Sequence, residues 1–338
     1  MNFLYLAAIS AAAVGCGTAP PTGGGDTSGS GGPLKVVATT GMVADLLAAV
    51  GGDRVEVTTM VPQGADPHLY KPVTNDVRML RAADVVAVSG LGLEGQMGEI
   101  LLSLEEKGTT VISVGEALPE GELLMVVEEG HDGAVDPHVW TSPAFWSGCV
   151  DAVVETLSAD DPDGADTFKA NGEAYAAEIA ALDAFMKEAI ATLPESARKL
   201  VTAHDAFSYF ARDYGVEVAA VQGITTESEA GLADIKALVD LIVDSDIKAV
   251  FIESTISPRT IEALIEGAAA RGHEVALGGE LYADAVGPPG TYEGTYLGMM
   301  DHNVTTIVGA LGGEVPEGGR LGKLGAGEAM EAGSVEAE

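Results

Sequence analysis

Three histidines and one aspartate are the residues of this chain whose type and placement could do chemistry. His68 lies in Gly64-Ala65-Asp66-Pro67-His68, His138 in Asp136-Pro137-His138-Val139-Trp140, and His204 in Thr202-Ala203-His204-Asp205. Asp284, in Leu281-Tyr282-Ala283-Asp284, is a fourth candidate. These positions fall beyond strand-like runs, and in open α/β sheets ligands bind at the carboxyl ends of strands. Imidazole suits zinc and tolerates manganese, while a carboxylate adds charge and binds through one oxygen or both. With a divalent ion the set carries a single net positive charge. Four protein ligands leave little room for a reactive water, which favours holding a metal over using it in catalysis.

Asp-Pro-His occurs twice. Proline holds its predecessor extended and fixes the approach of the next residue, so the histidine is presented with little loss of entropy. Asp66 and Asp136 could accept hydrogen bonds from the imidazoles behind the metal. Turn chemistry accounts for them equally well. A lone histidine after a strand more often caps or packs than ligates, so the joint pattern carries the weight. His131 reads as a solvated loop residue, His273 as exposed, and His302 as structural. Glu253 ends a strand near the cleft and could stand behind a ligand.

The elements that must position these groups alternate along the chain. Strand-like runs are predicted at Leu34–Thr40, Val55–Val61, Asp84–Val88 and Thr110–Val114, with helices between them at Met42–Val50, Asn75–Ala82 and Glu94–Lys107. Ser142-Pro143 opens another helix, serine as cap and proline in the first turn. From Asp163 to Leu193, apolar residues recur at helical spacing (Phe168, Tyr175, Ile179, Leu182, Phe185, Ile190) until Pro194 stops them. That predicts one long amphipathic helix of about 40 Å. Alternation then resumes, with strands at Lys199–Ala203, Val216–Val221, Ala249–Ile252 and Glu274–Leu277 and a closing helix at Thr295–Leu311. The pattern implies an α/β protein of two lobes, each a parallel sheet covered by helices, joined by one stiff helix. The lobes are expected at 34–162 and 195–312, with the linker at 163–194.

Both ends differ in composition. Asn2–Val14 is an apolar run ending in Ala13-Val14-Gly15-Cys16. It is too short to span a bilayer but suits a signal peptide, with Cys16 as the acylated first residue of a lipoprotein. Ordinary cleavage with an incidental cysteine would export the chain just the same. Residues 17–33, rich in Gly, Ser, Thr and Pro, read as a flexible tether reaching on the order of 20–25 Å. Residues 313–338, rich in Gly, Ala and Glu, read as a disordered acidic tail. The only other cysteine, Cys149, sits in an apolar stretch and packs as a small hydrophobe. The formal net charge of −35, from 17 Lys+Arg and 52 Asp+Glu, excludes nucleic acid as a partner and repels anionic membrane.

The motifs DPHLYKP, DPHVW, TAHDAFSYFARDYG, VFIEST and GGELYADAVGPPGTYEGTYLGMMDHNVTTIVGAL, taken in order, resemble the zinc/manganese solute-binding receptors of ABC transporters, the TroA-like group of the cluster A-I family. The resemblance covers roughly residues 34–312. It implies two Rossmann-like lobes with the metal buried between them, and its four ligands fall on His68, His138, His204 and Asp284. Histidine at 204 points to zinc-type or dual-metal members, since manganese-dedicated receptors often carry Glu there. Only Glu128-Glu129-Gly130-His131-Asp132-Gly133 stands where zinc-dedicated relatives carry a long His-rich loop, so the cargo is expected to be Zn2+ or Mn2+. The resemblance implies a non-enzymatic, monomeric receptor at the periplasmic or cell surface, anchored by lipid and serving an ABC permease. Because the linker is a helix rather than a pair of flexible strands, small lobe or loop shifts are expected on binding instead of wide closure. The competing readings are a zinc hydrolase with Glu253 as base, and a metal-binding surface adhesin.

Overall fold

A computed structural model describes residues 32–126, 133–228 and 230–325. The expected Cys16 lipidation site and signal peptide, nearly all of the expected tether, His131 and the end of the tail lie outside the described residues. The first lobe contains strands β1 (Leu34–Ala38), β2 (Val55–Thr59), β3 (Val85–Val88) and β4 (Thr110–Ser113). They form one parallel sheet in the order β2-β1-β3-β4. Every residue of β3 is buried, as a strand covered on both faces requires. Helices α1 (Gly41–Gly51), α2 (Thr74–Ala82) and α3 (Gly98–Glu105) connect the strands.

The helix opened by Ser142-Pro143 divides into α4 (Pro143–Trp146) and α5 (Cys149–Asp160). Ser142 caps it as expected, its hydroxyl accepting from Phe145 N. Cys149 is fully buried. The long helix is present as α6 (Ala165–Ala191), 27 residues or about 40 Å. Its buried stripe runs Phe168, Tyr175, Ile179, Leu182, Met186 and Ile190. Met186 therefore takes the place expected of Phe185, which is only partly buried.

The second lobe carries β5 (Lys199–His204), α7 (Ser208–Tyr214), β6 (Glu217–Gln222), α8 (Leu232–Asp244), β7 (Ala249–Glu253), α9 (Arg259–Ala270), β8 (Ala276–Leu281) and α10 (Tyr296–Ala310). β5 pairs with β6 and β7 with β8, both in parallel, and β5 lies beside β7. β8 runs four residues past the expected Leu277. Gly278 and Gly279 obscured it in the sequence, and the register shifts between Val250 and Phe251 opposite them. His273 is partly buried rather than exposed, its Nε2 2.7 Å from the carbonyl of Ile247.

One continuous core joins the lobes along α6. It runs from Val36, Leu46 and Trp146 in the first lobe to Leu200, Phe207 and Met300 in the second. A shared core of this kind resists hinge opening, because separating the lobes would expose apolar surface at roughly 25 cal/mol per Å2. Residues 313–325, expected to lack order, instead fold back on the end of α6 and on α10: Glu314 N donates to Thr192 Oγ1 and Arg320 N to Asp301. Among the described residues no helix is long and apolar enough to cross a membrane.

Candidate metal centre

The four candidate residues meet at one point between the lobes. One ligand atom from each of His68, His138, His204 and Asp284 lies within 4.8 Å of all the others, and all four residues are buried. His68 Nε2 is 3.2 Å from His138 Nε2, and Asp284 Oδ2 is 3.1 Å from His204 Nε2. Asp284 Oδ1 is 3.4 Å from His138 Nε2, and Oδ2 is 3.7 Å from His68 Nε2. Donors about 2.05 Å from a tetrahedral zinc ion would stand about 3.3 Å apart. These four separations bracket that edge, and every donor pair falls within 4.8 Å.

Burial without hydrogen bonds marks the point as a cation site. Both carboxylate oxygens of Asp284 and Nε2 of His204 are buried, and they have no hydrogen-bond partner outside the cluster itself. An unsatisfied buried group costs about 1–3 kcal/mol, and a charged one more. A divalent ion would satisfy all three atoms at once.

Each ligand is fixed by a different device. His204 ends β5, and Glu253, ending the adjacent β7, takes it from behind: Oε2 lies 2.5 Å from Nδ1, while Oε1 accepts from the backbone N–H of Ala203 and His204. Glu253 thus faces the back of the His204 ring and the backbone of β5. His138 donates from Nδ1 to Asp136 Oδ1 at 2.8 Å, which turns Nε2 toward the centre. His68 has its backbone N–H on Asp66 Oδ1, while Asp66 Oδ2 accepts from Thr226 Oγ1 of the other lobe. Asp284 is placed through its predecessors. Asn303 clamps both backbone polar groups of Tyr282, and Trp140 Nε1 reaches across the lobes to the carbonyl of Ala283.

The protonation pattern follows. Burial, helped by the facing His138 and His204, lowers the His68 imidazole to about 3, with Asp284 only partly opposing it. Burial also works against charge on His138, but Asp136 and Asp284 outweigh it and raise the group to about 9. His204 is likewise raised, Glu253 and Asp284 overcoming burial. Asp284 is held well below the usual carboxylate range, as His204 and His138 overcome its burial. Without an ion the cluster is a proton trap, and a metal must displace those protons.

The sequence pointed to all four converging residues and to Glu253. It gave no warning of Asn303, Thr226 or the cross-lobe role of Trp140, although Trp140 closely follows the second Asp-Pro-His. His302 is structural, its Nε2 2.9 Å from the carbonyl of Glu280, and it takes no part in the centre.

Comparison with known proteins decides the family. Residues 36–310 match the model of ZnuA, described as zinc-uptake complex component A, periplasmic. The chain belongs to the ZnuA family. It is 43% identical to the manganese-binding lipoprotein MntA of Bacillus subtilis over 89% of this chain and 95% of that protein. It is 42% identical to the zinc-binding protein TroA of Treponema pallidum over 86% and 92%. The solved periplasmic zinc binding protein TroA of Treponema pallidum superposes with a TM-score of 0.80 at 41% identity, covering 83% of this chain and 99% of that one. This ZnuA-family chain thus has the α/β architecture of two lobes and a long helix that its sequence implied.

Proposed function

We propose that this protein is the extracytoplasmic receptor of a metal ABC importer. It binds one Zn2+ or Mn2+ through His68, His138, His204 and Asp284 and delivers it to the permease. The observation that carries the reading is the convergence of four buried donors, two of whose residues, His204 and Asp284, keep donor atoms with no hydrogen-bond partner outside the cluster. Family membership supports it, since proteins of this kind serve transporters and are not enzymes. Relatives named for manganese and for zinc are about equally similar, so both metals remain cargo. The donor spacing fits a four-coordinate ion of zinc's size.

The protein acts as a monomer held at the membrane surface by lipid on Cys16; lipoproteins among its relatives support this part of the reading. Cys16→Ser should move the protein from the membrane fraction to the soluble one. Titration calorimetry with zinc tests the site itself. Undiminished affinity in His68→Ala and His204→Ala would remove these residues from it.

A further inference from the structure

We propose that residues 313–325 form a strap that positions the loop after Asp284 and thereby governs how fast the metal leaves. The inference rests on reading Asp284 as a ligand. The family match ends at residue 310, so the strap follows the shared part of the chain.

The strap begins at the end of α6, where Glu314 N donates to Thr192 Oγ1 at 2.8 Å. It turns at Gly318 and Gly319, whose φ values of +73° and +74° a side chain rarely adopts. Gly319 also passes so close to Asp301 that a Cβ there would stand 2.5 Å from Oδ1. Beyond the turn, Arg320 N donates to Asp301 Oδ1 and Oδ2 at 2.9 and 3.1 Å. The guanidinium of Arg320 lies 3.3 Å from Glu178 on α6. Asp301 is fully buried on α10, where a carboxylate needs donors; besides the strap, the described residues offer it only the hydroxyls of Tyr292 and Thr305.

Through this anchor the strap holds residues 285–294. Tyr292 donates to the same Asp301 at 3.2 Å, Lys323 lies 5.5 Å over the Tyr292 ring, and Gly325 N donates to Glu293 at 2.9 Å. The loop's other close bonds are turns within itself, such as Gly287 N to the Glu293 carbonyl. Its opposite face walls a cavity of about 400 Å3, bounded by Thr40 and Ala44 of the first lobe, that reaches Asp284. With the shared core resisting lobe opening, moving this wall is the short route to the Asp284 carboxylate. The strap sets the cost of that movement.

The test uses the full chain loaded with zinc, with release to a chromogenic chelator followed by stopped flow. Gly319→Val, and independently Asp301→Ala in case the first does not fold, should speed release about ten-fold, the scale expected when a residue supporting a metal ligand is lost. Arg320→Ala should speed it less, and Arg320→Lys should restore the parent rate. The melting temperature of the metal-free chain separates this role from a merely structural one, and should move by no more than a few degrees. Parent release rates in both Gly319→Val and Asp301→Ala would overturn the proposal, as would faster release matched by a large loss of metal-free stability. His204→Ala runs alongside: if it keeps full zinc affinity, the reading of the site has failed rather than that of the strap alone.

Discussion

The same tripeptide, Asp-Pro-His, supplies both of the first lobe's ligands and ends in two different arrangements. In each copy the aspartate accepts from the backbone N–H of the histidine two residues on, at 2.8 Å for Asp66 and 3.0 Å for Asp136. That much is local turn chemistry and is shared. Only Asp136 also takes its histidine's Nδ1; Asp66 turns its second oxygen to Thr226 on the other lobe. His138 is thereby raised to about 9, whereas His68, without such a partner, is lowered to about 3. One centre thus combines two imidazoles backed by carboxylates, His138 and His204, with one that is not. The backed pair is built for strength, and His68 is tied to the contact between the lobes.

The comparison can be broken most directly by removing ligands. A four-ligand zinc site contributes about 10–16 kcal/mol, so each ligand accounts for roughly 2.5–4 kcal/mol. Asp284→Ala, His138→Ala and His204→Ala should each weaken zinc binding on the order of a hundred-fold or more, measured by chelator competition. His68→Ala, lacking a carboxylate behind it, should sit at the low end of that range. Equal losses at all four positions would remove the distinction.

Next in size are the carboxylates behind the rings. Asp136→Asn and Glu253→Gln should lower affinity about 10–100-fold with the ligands intact. Asp66→Asn should change it far less, since the amide oxygen would still accept from the backbone N–H of His68. A loss at Asp66→Asn matching that at Asp136→Asn would show that both aspartates tune their imidazoles.

The pH dependence sharpens the same contrast. Below about 9 the metal-free His138 holds a proton that the ion must displace. Apparent zinc affinity should therefore rise with pH through the neutral range and rise less steeply as pH passes about 9, where only the raised His204 still has a proton to lose. His68, already neutral above about 3, contributes nothing to this slope. Calorimetry in buffers of different ionisation enthalpy counts the protons released, and Asp136→Asn should reduce that count. The smallest effect is expected at the lobe contact. Trp140→Phe removes the bond from Nε1 to the Ala283 carbonyl and should cost about 1–2 kcal/mol of stability in chemical denaturation.

Much of this molecule was legible in the sequence. The alternation of strands and helices, the length of α6 and the motifs that carry the four donors are local signals, because periodicity and turn residues act over a few positions. Where glycine broke the signal the reading failed. Gly278 and Gly279 hid the end of β8, and Gly318 and Gly319 made an ordered strap look like a tail. In both places glycine serves a bend or a close approach that only the folded chain reveals.

Sequence by itself determined which residues could ligate and that His204 closes a strand, since donor chemistry and secondary structure are properties of short segments. Tertiary structure alone decided that His68, His138, His204 and Asp284 share one point, and that Glu253 and Asp136 back two of the rings while Asp66 does not. It also decided that a segment beyond the last helix holds the loop after Asp284. The physical reason is range. A turn is fixed by its own residues, whereas a partner 50 to 160 positions away is chosen by how the lobes pack.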